Sequence, residues 1–206
     1  MSKAVWSESF GFMAAASTEE ERQWHARFIK EVESETTRGA VLNITSLIDE
    51  LLIKLLSSYF PNTTQAQSLL TRLDGCLSSI MNRANIAYAL ALLREKEFKA
   101  IKIIAQIRNE FAHKWDESTF DTGKLPDLIK KLPKEYFQYV GGSNKAKFYC
   151  VTSQIIQELL ERHKYASRIN KALPKEYKDI FDLTPEARRK IIEKEQALIE
   201  ARRKNS

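Results

Sequence analysis

Between Arg38 and Tyr59 the chain carries Leu42, Leu47, Leu51, Leu52, Leu55 and Leu56, separated mostly by three- and four-residue steps. That period gathers the side chains onto one broad face of an α-helix, and such a face must be covered by other elements. The same helical signal recurs along the chain. Trp24, Phe28, Ile29 and Val32 follow a cap-like Ser17-Thr-Glu-Glu-Glu and predict a helix to about Glu35. Further helices are predicted over Gln65 to Leu73, Ser78 to Leu93, Lys96 to His113 and Lys147 to Ile169. The stretch Ser78 to Leu93 is apolar on several sides and is expected to lie centrally.

Breaks fall where helices cannot continue. Pro61-Asn62-Thr63 and Asp74-Gly75 read as turns, and Gly141-Gly142 as a hinge-like break. Pro126 and Pro133 are expected to divide Leu125 to Tyr139 into short helical turns. With only 6 Gly and 5 Pro in 206 residues, there is little room for an all-β fold with many tight turns. The expected fold is therefore all-α, a helical bundle with an appended basic C-terminal helix. The expected division is an N-terminal extension over 1–16, a helical domain over 17–170 and a basic tail over 171–206.

The tail begins its helix at Thr184-Pro185-Glu186, with a cap hydroxyl, a proline at the first position and an acid next. From Pro185 to Ser206 there are seven Lys and Arg against four Glu, half of the chain's net charge of +6. Arg188, Arg189, Lys190, Arg202, Arg203 and Lys204 are the candidates for binding nucleic acid or an acidic partner surface; the alternative is a solvated helix that aids solubility.

Several chemistries are missing from the sequence. It has no phosphate-binding glycine loop, no metal-spaced Cys and His, and no Gly-x-Ser-x-Gly elbow. No helix-turn-helix reader can be placed; the helix after Asp74-Gly75 is too apolar to lie in a DNA groove. Cys76 and Cys150 read as small buried hydrophobes, and His25 and His163 as incidental. No metal and no cofactor are expected. No stretch has the length and hydrophobicity of a membrane span, so no membrane partner and a cytoplasmic location are expected.

The most specific local signal is Ile107-Arg108-Asn109-Glu110-Phe111-Ala112-His113, which closes a predicted helix. Arg38 opens the leucine-rich helix that contains Asp49-Glu50-Leu51-Leu52. A third block is Asn82-Arg83-Ala84-Asn85-Ile86-Ala87-Tyr88-Ala89-Leu90, and Ser118-Thr119-Phe120 follows the last. In this order and spacing, over roughly Arg38 to Asp121, the chain resembles the mannitol operon repressor (MltR-like) family of bacterial helical proteins. Ala91-Leu92 departs from the Gly-Leu of many relatives, a change expected to matter only for packing. The resemblance implies a regulatory protein in transcriptional control; with no DNA-reading helix pair in the sequence, it is expected to act through contacts with another protein.

Arg108-Asn109-x-x-x-His113 is also similar to the Arg-x4–6-His signature of HEPN-domain proteins, a helical group that includes metal-independent ribonucleases. That resemblance implies RNA as substrate and a homodimer pooling two motifs. Arg108 would hold phosphate, His113 would transfer protons and Asn109 would assist. Five helical residues turn through about 500°, which leaves Arg108 and His113 about 140° apart unless the helix ends near Ala112 or a second subunit completes the site. The structural alternative is that His113 bonds the terminal carbonyls and Arg108 pairs with Asp49 or Glu50. Arg38, Asp49, Glu50, Arg83 and Tyr88 are expected to form an internal polar network or, alternatively, to line a cleft beside Arg108. A neutralising or adaptor binding protein is the third functional reading.

Overall fold

The computed structural model describes residues 9–12, 18–72, 74–113, 119–138, 142–169 and 183–204. The helices are α1 (Glu19–Ser34), α2 (Thr37–Tyr59), α3 (Thr64–Thr71), α4 (Ile80–Ala89), α5 (Glu95–His113), α6 (Leu125–Lys131), α7 (Asn144–Ala166) and α8 (Pro185–Lys204). Among the described residues one 3-10 turn is present, over Lys134–Tyr136. Among the described residues there is no strand, and the protein is all-α.

Hydroxyl caps start most of these helices. Thr18, Thr36, Thr63, Ser79 and Ser143 each accept a hydrogen bond from the backbone N–H three residues on, at 3.1–3.2 Å. Each such bond satisfies an N–H that the helix itself leaves free.

The chain divides into two compact units, Met1–Ile169 and Asn170–Ser206. In the first, α2 takes the centre and packs against α1, α3, α4, α5 and α7. Ile44, Ile48, Leu52, Leu55 and Leu56 are fully buried along it. Fully burying one such side chain contributes about 1.5–3 kcal/mol. An aromatic seam continues the core: Phe111 meets Phe120 and Phe120 meets Phe148, each with ring centroids 5.1 Å apart. Phe10 is also buried, with its ring edge-on to Phe28 and Tyr149. In the second unit, α8 begins on the Thr184 hydroxyl, which accepts from the Ala187 N–H at 3.3 Å.

Four local expectations need correction. The central position belongs to α2, not to the stretch after Ser78. That stretch ends its helix at Ala89, and Tyr88 on it is 41% exposed. The short helical turns expected over Leu125 to Tyr139 are present, but Pro126 does not break them: it lies in the first turn of α6, where a proline sacrifices no helical hydrogen bond. Cys76 is exposed, whereas Cys150 is buried.

The fourth correction concerns Ala91. It has φ +56°, in the left-handed region. The Ala91 N–H donates to the Tyr88 carbonyl at 3.0 Å, and the Leu92 N–H donates to the Ala87 carbonyl at 2.8 Å. This pair of bonds is a Schellman end, whose left-handed position glycine occupies without steric cost. Replacing glycine there is thus a matter of backbone conformation and not of packing alone.

Beyond this turn lies an ion pair that the helical period gave no sign of. The Glu97 carboxylate, 2% exposed, pairs with Arg162 of α7. Arg162 Nη2 is 2.8 Å from Glu97 Oε1 and 2.9 Å from Glu158 Oε2, and its Nη1 donates to the Leu92 carbonyl at 3.1 Å. Glu97 also accepts from the Arg94 N–H at 2.7 Å, half of a capping box.

Two outcomes are expected in urea denaturation. Ala91→Gly stabilises the protein by about 0.5–1 kcal/mol, as relief of left-handed strain exceeds glycine's extra entropy in the unfolded chain. Glu97→Ala destabilises by about 3 kcal/mol, the low end for breaking a buried pair, because Arg162 loses its buried partner and keeps only the more exposed Glu158, and the double change Glu97→Leu with Arg162→Met recovers much of that loss.

Candidate functional site

Helix α5 carries the Arg108 to His113 block, and its form decides what the block can do. It runs without interruption through His113, so Arg108 and His113 stand about 140° apart around one axis. Both side chains are exposed, as is Asn109. Arg108 Nη1 donates to Asn109 Oδ1 at 3.3 Å, and Arg108 has no ion pair among the described residues. Its pairing with Asp49 or Glu50 is therefore not what the fold adopts.

Arg108 and Asn109 line a groove of about 350 Å³ between α2, α4 and α5. Ser46 and Asp49 come from α2, and Ser78 and Ser79 from the start of α4. His113 is not among the groove's residues. The groove therefore offers a guanidinium, an amide, hydroxyls and a carboxylate, but no imidazole from the same protomer. Such a surface suits polar recognition; on its own it lacks a general acid–base pair.

The charged residues of α2 and α4 separate into different tasks. Arg83, 6% exposed, places Nη1 2.7 Å from both Asp49 oxygens, and its Nη2 donates to the Leu70 carbonyl at 3.1 Å. This ties α4 to α2 and to the end of α3. Arg38 takes no part in that cluster: its Nε donates to the Phe111 carbonyl at 3.0 Å and its Nη2 to the Ala112 carbonyl at 3.2 Å. It thereby caps α5, the task the structural alternative gave to His113, and a guanidinium there also complements the helix dipole.

Two residues leave the expected cluster altogether. Glu50 is exposed and lines a different cavity, because one residue along a helix turns the side chain by about 100° from Asp49. Tyr88 lies at the surface, stacked on Phe98 with ring centroids 4.7 Å apart.

The larger cavity, about 510 Å³, lies between α1, α2 and α7. His25 and His163, taken from the sequence as incidental, both line it, together with Trp24, Glu50 and Lys54. Residues so far apart in sequence give no linear signal; only the packing of α1 and α7 on either side of α2 joins them. Burial holds the His163 imidazole below its ordinary value of 6.5, and Lys54 adds to that depression. Burial likewise lowers His25, opposed by Glu21.

Of the tail candidates, Arg189 pairs with Glu193 at 2.9 Å and Lys190 is exposed. Arg188 is half-buried, and the side chains of Arg202, Arg203 and Lys204 lie outside the described residues. Among the described residues no group of three or more His, Cys, Asp or Glu side chains could hold a metal ion. None of the described helices is long and apolar enough to cross a membrane.

No protein-family model and no curated protein matches the chain. Among solved structures, the X-ray structure of the MtlR–HPr complex from Escherichia coli is similar, at 17% identity and a TM-score of 0.47. The similarity covers 69% of this chain and 97% of that one. At that score the likeness carries no functional inference.

The cavity geometry predicts a distinct titration. In an NMR pH series both imidazoles protonate below 6.5, and Lys54→Gln raises the midpoint of His163 while leaving that of His25 in place. Because folding favours the neutral rings, their contribution to stability is complete above about pH 6.5 and declines as pH falls below it.

Proposed function

We propose that this chain is a regulatory protein, acting in transcriptional control through contacts with another protein. The observation that carries the reading is the form of α5, unbroken through His113. One protomer then presents Arg108 and Asn109 to a polar groove and His113 to a different direction, a recognition surface and not an assembled acid–base centre. The MltR-like order of sequence blocks supports the regulatory role. The absence of any DNA-reading helix pair from the sequence supports protein contact as the mode of action.

The alternative is a HEPN-like metal-independent endoribonuclease. It draws on one observation: Arg108, Asn109 and His113 are all exposed. A twofold mate would then have to bring its own His113 to the Arg108 groove. RNA would be the substrate and a homodimer the active form.

Deletion of the coding sequence in its native host, complemented with wild type, Arg108→Ala or His113→Ala, separates these readings. A regulator changes a limited set of transcripts, and both wild type and His113→Ala restore them. The purified protein then leaves RNA intact and gives no discrete shift of the affected promoter DNA. RNA breakage abolished by both substitutions would replace this reading with the nuclease. A sharp preference of the purified chain for one operator would replace protein contact with direct repression.

A further inference from the structure

We infer that the cavity between α1, α2 and α7 binds a small zwitterion with an apolar or aromatic side chain, the chemistry of a free α-amino acid. Its volume of about 510 Å³ is that of an ordinary small-molecule cleft. Leu47 and Leu51 of α2 and Leu160 of α7 give it an apolar lining. Trp24 adds an aromatic wall, and its indole is stacked on Phe28 with centroids 5.8 Å apart, which holds the ring in place.

Charge decides the ligand class. Glu50 and Lys54 lie one turn apart on α2, the spacing and order at which a Glu–Lys pair normally closes. Neither has an ion-pair partner among the described residues, and both line the cavity. Glu161 and Lys164 across the cavity already pair with each other at 3.4 Å. On α2, one open carboxylate and one open ammonium stand a turn apart beside the apolar lining and match a ligand that carries both charges on one carbon. Glu20 and Arg27 of α1 also line the cavity and add one charge of each sign, while Glu21 lies beside His25, so the lining keeps charges of both signs. Its ammonium group would pair with Glu50 and its carboxylate with Lys54, with the side chain lying over the leucines against Trp24. A ligand with a single charge would leave one of the two protein groups unmatched.

The experiment titrates the full-length chain with L-phenylalanine, 3-phenylpropionate and phenethylamine, following the Trp24 indole and His163 ring signals by NMR. L-Phenylalanine is expected to shift both saturably, and each single-charge analogue to bind about tenfold more weakly, one charge-assisted contact being lost. Lys54→Gln should weaken L-phenylalanine and 3-phenylpropionate but spare phenethylamine. Glu50→Gln should weaken L-phenylalanine and phenethylamine but spare 3-phenylpropionate. Both positions are exposed, so circular dichroism and Tm should match wild type. No saturable shift, an analogue that binds as tightly as L-phenylalanine, or variants without effect would overturn the inference. Binding is read on the purified chain, so it stands or falls apart from the transcriptional reading.

Discussion

Covering α2 is the constraint on which the rest of the structure depends. Ten of its 23 residues are buried, and they are distributed around enough of the helix to require neighbours on several sides. α7 and α5 supply much of that cover, α4 and α3 close another side, and α1 lies along the remainder. The two cavities follow from this arrangement. One opens where α1 and α7 flank α2, and the other where α4 and α5 do. Both cavities are thus built against the same central helix.

Arginine solves the polar side of that packing, and it does so three times. A helix end leaves its last carbonyls without intrahelical donors. Arg38 reaches the Phe111 and Ala112 carbonyls at the end of α5, Arg83 the Leu70 carbonyl at the end of α3, and Arg162 the Leu92 carbonyl just beyond α4. Two of the three also hold a carboxylate, Asp49 or Glu97. A forked, permanently charged donor is suited to serving a carbonyl and a carboxylate together. These contacts fix the relative positions of α2, α3, α4, α5 and α7, and through them the orientation of the Arg108 face.

The α5 motif shows how a local pattern divides once the helix is built. Spacing alone gives the angle between Arg108 and His113, and an unbroken helix keeps it. What lies opposite each side chain is another matter. Arg108 and Asn109 face a groove because Ser78, Ser79 and α2 pass in front of them. The carbonyls that His113 was placed to cap are served instead by Arg38, more than seventy residues earlier. No rule of sequence distance anticipates that substitution.

The sequence by itself determined the helical class, the main helix cores and the hydroxyl-led starts, because the 3.6-residue period and the capping residues act within a few positions of each other. It carried Arg108, Asn109 and His113 as a block on one helix for the same reason. Only the tertiary structure decided that Asp49 and Glu50 part company, that Ala91 takes a left-handed turn, and that Glu97 is buried against Arg162. It alone brought His25 and His163 to one cavity. Those outcomes depend on which helix faces which, and that is settled by covering the apolar surface of α2 from all sides at once, a condition written in no single stretch of the chain.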